Sequence, residues 1–352
     1  MRRRTYTTII HATMDILRLP PPLRRSLLLQ APSFRHYLTT STTPISNLSE
    51  PPPPTPPATL SSYTTTLPPQ PHHLKFSAHF FHASDPTLLY ASSTFRLIPP
   101  SPIPEIAFLG RSNVGKSSLL NALFNRTTAQ PAHVSKRPGR TRTINGFGIS
   151  GGLEWGRAPG EGEREARWKR FPRGGVTVVD MPGYGKGSRE EWGGEVMKFL
   201  EKRKQLRRCF VLVDAEHGLK GSDMQLLTHL RRGGVNFSLV LSKVDKVLYA
   251  GSRAPGPERL AKKAALLGEM CREIRQRLDT EAGDGRRRDV DVICCSAEKG
   301  LDRSGGTKRI GIDEVRWATL SACGINCDEM GRRKGGGQVL LQNGDPEGEN
   351  IW

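Results

Sequence analysis

The sequence predicts an α/β fold of three layers, a mostly parallel sheet with helices on both faces, built around a phosphate-binding loop. Three observations predict it. From about residue 76 onward, short apolar runs of strand length alternate with segments of helical periodicity. Residues 110–117 read Gly-Arg-Ser-Asn-Val-Gly-Lys-Ser, which is the G-x-x-x-x-G-K-[ST] loop. That loop stands between an apolar run and an amphipathic one, the strand–loop–helix context in which a helix N-terminus faces bound phosphates.

The first core strand is expected at Ile106–Leu109, and Leu119, Leu120, Leu123 and Phe124 give the following helix its apolar face. In the loop between them, glycines let backbone N–H groups turn toward a polyphosphate. Lys116 places a point charge near the β/γ-phosphates, and the Ser117 hydroxyl can hold Mg2+. The candidate phosphate contacts are therefore Gly110, Arg111, Ser112, Asn113, Val114, Gly115, Lys116, Ser117 and Ser118. The next strand, Val176–Val179, ends in Asp180-Met-Pro-Gly183, a D-x-x-G pattern. A carboxylate at Asp180 reaches Mg2+ through water, and the Gly183 N–H can contact a γ-phosphate. Between these motifs lies Pro-Gly139-Arg140-Thr141-Arg-Thr143. A threonine here closes over Mg2+ and the γ-phosphate in a first switch; Thr141 is the choice and Thr143 the alternative. Lys116, Thr141 and Gly183 are the candidate catalytic groups, and Ser117, Thr141 and Asp180 (through water) the candidate metal contacts.

A helix is expected over about residues 189–203, with Trp192, Val196, Phe199 and Leu200 on one face. Strand Cys209–Val213 and a helix over about 222–231 follow. Strand Phe237–Leu241 then delivers Ser242-Lys243-Val-Asp245. Lys243 and Asp245 form the K-x-D of a guanine reader. A carboxylate accepts the N1–H and exocyclic amine of guanine together, a donor pair that adenine lacks. The lysine stem can cover the base, and Ser242 stands where Asn or Thr is usual. A long helix over about 258–278 leads to strand Val290–Cys295 and the Ser296-Ala297 turn, which can offer a backbone N–H to the guanine carbonyl. A last helix covers about 312–320. Every motif falls at the carboxyl end of a strand, where such sheets bind their ligands.

The flanks read differently. Residues 1–45 carry seven arginines against the single acid Asp15, among many Ser and Thr, the composition of a mitochondrial or chloroplast presequence; a basic tail that stays on the protein is the alternative. Residues 46–74 are proline-rich and are expected to form an extended, disordered linker. The folded unit is expected at 75–322, with a Gly-, Arg- and Glu-rich surface insertion at 151–175 and a disordered tail at 323–352. The net charge of +19 favours nucleic acid or an anionic surface as partner. No apolar run approaches the ~18 residues that span a bilayer. Of the six cysteines, Cys209, Cys294 and Cys295 fall in expected strands. No pair of C-x-x-C units exists, which argues against a zinc site and for reduced, structural thiols. His133, His217 and His229 show no metal-ligand spacing. A monomer is expected, although no motif fixes the oligomeric state.

Taken together, the loop motif, Pro-Gly-Arg-Thr, Asp-Met-Pro-Gly-Tyr-Gly, Ser-Lys-Val-Asp-Lys, the Pro104-Glu-Ile-Ala-Phe lead-in and Val213-Asp-Ala-Glu-His-Gly218 resemble an EngB-type GTPase of the TRAFAC class. The resemblance covers about residues 75–322. It implies a single Ras-like G domain, Mg2+-dependent GTP and GDP binding, and a role in assembling the large ribosomal subunit. For an organelle-targeted member it implies a mitochondrial or plastid ribosome, with the mitochondrial matrix favoured. Ser242, the insertion and the C-terminal extension depart from the family pattern.

Many GTPases carry a water-orienting Gln after the D-x-x-G glycine, and here that position is Tyr184. Slow intrinsic turnover that rises on a ribosomal partner is the expectation. Asn113 resembles the loop asparagine of cation-dependent GTPases, which places K+ beside the phosphates as a second route. Lys202, Arg203, Lys204, Arg207 and Arg208 form a basic cluster, read as a contact for ribosomal RNA phosphate. Two other readings stay open: a GTP-binding scaffold that does not hydrolyse, and a P-loop ATPase or small-molecule kinase.

Overall fold

The computed structural model describes residues 60–125, 143–153, 168, 171–184, 190–250, 255–282, 290–298 and 309–334. In chain order the elements are α1 (Pro71–His82), β1 (Thr87–Ser92), β2 (Glu105–Gly110), α2 (Lys116–Leu123), β3 (Ile144–Ile149), β4 (Val176–Asp180), α3 (Glu190–Lys202), β5 (Leu206–Asp214), α4 (Gly221–Arg232), β6 (Phe237–Ser242), α5 (Val244–Leu248), α6 (Pro257–Ala282), β7 (Val292–Cys294) and α7 (Ile312–Ala322). The strands form one seven-stranded sheet in the order β1-β3-β4-β2-β5-β6-β7. β4, β2, β5, β6 and β7 run parallel, and β3 joins both β1 and β4 antiparallel.

β2 is buried at all six positions because helices cover both faces of the sheet. Its side chains alternate between two apolar layers. Ile106 and Phe108 pack in the layer that holds residues of α1, α2 and α7. Ala107 and Leu109 pack in the layer that holds residues of α3, α4 and α6.

β1 and β3 were not expected from the sequence. β3 reads Ile-Asn-Gly-Phe-Gly-Ile, and its two glycines hide the strand pattern. Large side chains occupy the space that a Cβ at either position would need. A Cβ at Gly146 would stand 2.4 Å from the Tyr90 ring, and one at Gly148 would stand 2.6 Å from Phe171. Phe171 is buried, so the end of the expected surface insertion belongs to the core. Residues 154–167, 169 and 170 of that insertion lie outside the described residues.

The expected linker at 46–74 is corrected at its C-terminal end. Leu60 is buried, and Ser62 pairs with Val292 through N···O distances of 2.8 and 2.9 Å in both directions. The carboxylate of Asp291 accepts from the backbone N–H of Thr64 (2.7 Å) and Thr65 (2.8 Å) and from the hydroxyls of Thr65 (2.5 Å) and Thr66 (2.9 Å). Pro71, which read as linker, opens α1, where a proline at the first helical position gives up no hydrogen bond. The expected tail is corrected as well: Cys323, Ile325 and Cys327 are buried, and Cys327 pairs with Arg333 in an antiparallel bridge.

α7 fixes the far end of α2. The buried Arg316 guanidinium donates to the carbonyls of Ala122 (2.9 Å) and Leu123 (2.7 and 2.9 Å), groups the helix leaves without partners of its own.

Candidate functional site

The phosphate loop leaves β2 at Gly110 and turns back on itself. Asn113 (φ 67°) and Gly115 (φ 94°) are both left-handed. Gly115 is also the N-cap of α2, so a residue that tolerates positive φ aims the first N–H groups of the helix into the loop. Lys116 is buried and forms an ion pair with Asp180, itself buried at the end of β4. The β2–β4 register sets Phe108 opposite Asp180, which brings that carboxylate beside the loop.

Oxygen donors, helix N–H groups and one buried lysine fit a nucleotide phosphate chain with a hard divalent cation. Ser117 and Asp180 would hold Mg2+ there, and Lys116 the phosphates. Mg2+, when bound there, neutralises phosphate charge. Gly139, Arg140 and Thr141 lie outside the described residues. Thr143, the alternative switch threonine, donates its hydroxyl to Asn145 Oδ1 at 2.8 Å.

The D-x-x-G segment lies directly on the loop. Ser112 N–H donates to the Tyr184 carbonyl and Tyr184 N–H to the Gly110 carbonyl, each at 3.3 Å. A Cβ at Gly183 would stand 3.2 Å from Ser112 Oγ. The fully buried Asp223 of α4 then ties both segments together. Its Oδ1 accepts from Arg111 Nε at 3.0 Å and from the Tyr184 hydroxyl at 2.8 Å, and its Oδ2 accepts from the Lys220 N–H at 2.9 Å. Burial, and then the adjoining Asp223 carboxylate, push the Tyr184 phenol well above its ordinary range, so it stays a neutral donor.

The base-reading end is built from β5, β6 and the turn after β7. Lys243 is left-handed (φ 58°), and its stem passes Gly115, where a Cβ would meet Lys243 Cε at 3.4 Å. Its ammonium donates to the Asn113 carbonyl at 2.7 Å and to Asp214 Oδ2 at 2.8 Å. Burial would raise the Asp214 carboxyl, but the Lys243 ammonium and the Glu216 N–H outweigh it and hold it below its usual range. The Ser242 hydroxyl lies 2.8 Å from the Val114 carbonyl and 3.2 Å from that of Val213, pinning the loop to the sheet. Ser296 Oγ donates to Asp245 Oδ1 at 2.6 Å and so fixes that carboxylate. The Ser296 N–H is taken by the Ile310 carbonyl at 2.9 Å, which makes the Ala297 N–H the donor this turn has for a guanine carbonyl.

Sequence reasoning missed Asp214 and Asp223. Asp214 ends β5 as Asp180 ends β4, a strand-end signal that was available. Asp223 stands three residues after Lys220 at the start of a helix, where a capping reading is the more economical one. The basic cluster at 202–208 is corrected. Arg203 is buried and makes a bidentate pair with Glu105 (2.7 and 2.8 Å) plus a bond to the Pro99 carbonyl (2.8 Å). Arg208 is partly buried and donates to Ser238 Oγ at 2.9 Å. Lys202 and Lys204 remain exposed, and Arg207 half-exposed. His217 contacts Asp214 Oδ1 at 3.5 Å, and His229 pairs with Glu201 at 2.8 Å. His133 lies outside the described residues. Among the described residues, no helix is long and apolar enough to cross a membrane.

Comparison with known proteins matches residues 105–243 to a family described as "50S ribosome-binding GTPase". The chain is 42% identical over 161 residues to a "Probable GTP-binding protein EngB" of Mesorhizobium japonicum, a match that takes in 44% of this chain and 68% of that protein. It is 34% identical over 240 residues to the protein of the same name from Rhizobium johnstonii, covering 66% and 89% respectively. Among solved structures it is similar to a "probable GTP-binding protein engB" at 21% identity and a TM-score of 0.36, covering 62% of this chain and 98% of the other. The loop, the D-x-x-G segment and the guanine reader meet at one end of a mostly parallel sheet, as a Ras-like G domain requires, and the relatives agree: the chain belongs to the EngB family of GTP-binding proteins.

Proposed function

We propose that the protein is a Mg2+-dependent GTP switch with slow intrinsic hydrolysis, and that it assists assembly of the large subunit of the mitochondrial ribosome. One observation carries the nucleotide part. Ser242 bonds the loop carbonyl of Val114 while Lys243, two residues from Asp245, bonds that of Asn113, so base reading and phosphate binding share one rigid frame. Slow hydrolysis follows from Tyr184. The position that carries a water-orienting Gln elsewhere holds a phenol already committed to Asp223. Family membership and the net charge of +19 support a ribosomal partner. The Arg-rich, acid-poor first 45 residues support an organelle, with the plastid as the alternative address.

A second reading, a GTP-binding scaffold that does not hydrolyse, is favoured by the same Tyr184 contact. Phosphate release with and without mitochondrial large-subunit particles separates the two. Stimulated release supports the switch, and none supports the scaffold. K+ beside Asn113 is a further part of the proposal, and equal hydrolysis rates in KCl and NaCl would remove it. For the reading as a whole, GTP and ATP are competed for the site, and the protein is co-sedimented with large-subunit particles in a GTP analogue and in GDP. Equal competition by ATP refutes guanine reading, and sedimentation that ignores the nucleotide refutes the switch.

A further inference from the structure

Far from the nucleotide end, the start of α1 meets the chain that follows α7. His72 and His73 come from the first turn of α1, and Cys327 from the C-terminal segment. One ligand atom from each, an imidazole nitrogen from both histidines and the Cys327 sulfur, lie within 4.8 Å of one another. The residues are some 250 positions apart in sequence, so no spacing motif could have shown them.

The groups sit on braced supports. Cys327 opens a tight hairpin closed by Asp328 N–H to the Arg332 carbonyl (2.9 Å), Gly331 N–H to the Asp328 carbonyl (2.9 Å) and Lys334 N–H to the Asn326 carbonyl (3.0 Å). Arg333 pins that hairpin from its other strand: its guanidinium lies over the Phe80 ring of α1 at 5.9 Å and donates to the Gly174 carbonyl at 2.7 Å. The His73 ring stacks flat on Trp317 of α7, with centroids 4.0 Å apart and planes 7° apart, and the His72 ring stands 4.1 Å from it. Cys327 is buried, while both histidines are half-exposed, which leaves a path for an ion.

We propose that His72, His73 and Cys327 form a binding site for a borderline-soft transition-metal ion of the Zn2+ class. Two imidazoles and one thiolate are the donors such an ion takes in tetrahedral sites, and hard ions such as Mg2+ reject them. Metal–ligand bonds of about 2.0–2.3 Å put tetrahedral ligand atoms about 3.4–3.6 Å apart. Side-chain rotation by about an ångström closes the cluster to that spacing. The fourth position is left to water. Binding exchanges one proton for one bond: the Cys327 thiol gives up its hydrogen as the sulfur–metal bond forms. His73 Nδ1 now accepts from the Gln70 N–H at 3.1 Å, so coordination by His73 replaces that helix-end contact with a metal bond. The ion would staple the C-terminal hairpin to α1. The site is independent of the GTP site, and neither reading depends on the other.

The test uses the full chain, stripped with EDTA, desalted and titrated with Co2+. The expected result is one equivalent bound, with a thiolate-to-cobalt charge-transfer band and the intense visible bands of a tetrahedral ion. Zn2+ should bleach both. Cys327→Ser should abolish the charge-transfer band. His72→Ala, at a half-exposed position that the fold can spare, should weaken binding by roughly a hundredfold. At one equivalent, Zn2+ should raise the melting temperature of the parent more than that of either variant. A parent without the charge-transfer band, or a band that survives in Cys327→Ser, overturns the proposal. The second outcome would place the ion at the buried Cys271–Cys294 pair, whose sulfurs are 3.7 Å apart.

Discussion

Arg203→Ala tests whether the basic cluster is surface or skeleton. In the structure its guanidinium holds Glu105 with two charge-assisted bonds of 2.7 and 2.8 Å, and Glu105 is 0% exposed. Removing the arginine strands a carboxylate at the start of the central strand. Breaking one side of a buried pair costs about 3–5 kcal/mol. In a domain of this size each kcal/mol moves the melting temperature by about 2–4 °C, so a fall on the order of 10 °C is expected. Thermal unfolding followed by circular dichroism measures it. Lys202→Ala and Lys204→Ala, at exposed positions, should stay within about 0.5 kcal/mol of the parent. Adding Glu105→Gln to Arg203→Ala should recover part of the loss, because it removes the stranded charge. A melting point within 2 °C of the parent, or a double variant worse than the sum of its parts, refutes the reasoning. It follows that RNA binding should be tested by neutralising Lys202, Lys204 and Arg207 alone, since changing Arg203 confounds binding with folding.

Ser242→Ala should weaken GDP and GTP alike by about fivefold, the value of a hydrogen bond of about 1 kcal/mol, in fluorescent-nucleotide titrations; Ser242→Thr, which keeps the hydroxyl, should bind like the parent. Tyr184→Phe removes one donor from Asp223, and the ratio of GTP-analogue to GDP affinity should change while the unfolding free energy falls by about 1 kcal/mol or less. Asp245→Asn should shift preference from guanine toward xanthine nucleotides, measured by competition. The Asp291 carboxyl is pushed up by burial but held below its usual range by the Thr65 hydroxyl and the Thr64 and Thr65 N–H groups. A depressed folded value means that its stabilisation is present above the unfolded value of about 3.9 and is lost as pH falls through the folded one. Urea unfolding should therefore lose stability steeply below about pH 4 in the parent, and less steeply in Asp291→Asn.

The parallel half of the sheet was legible because buried strands read as unbroken apolar runs, and β2, β4, β5 and β6 each include the expected one. The antiparallel edge was not. Gly146 and Gly148 are core positions whose volume is supplied by Tyr90 and Phe171, so a count of apolar residues passes them by. α1 was hidden by its own start signal, a proline that follows a run of other prolines. In the site, the residues that touch nucleotide in a G domain carry their chemistry in short motifs and could be read directly. Asp223 could not, since its work is to hold Arg111 and Tyr184, and that role exists only once three separate segments have been brought together. Arg203 failed for the opposite reason: a charge among other charges looks solvated until its buried partner, 98 positions upstream, is in place.

The pairing of Ser62 with Val292 has a consequence for the exposed edge of the sheet. β7 is the last strand of the sheet, and its outer backbone groups would otherwise face solvent as a template for another chain. The short segment 60–66 closes that edge, with Ser61 Oγ accepting from the Cys294 N–H at 3.1 Å and Arg275 donating to the Ser62 carbonyl at 2.6 Å. Loss of residues 60–66 would therefore expose this edge. Cleavage at 75 would spare every nucleotide-binding motif and still leave a protein with an open, adhesive β-edge.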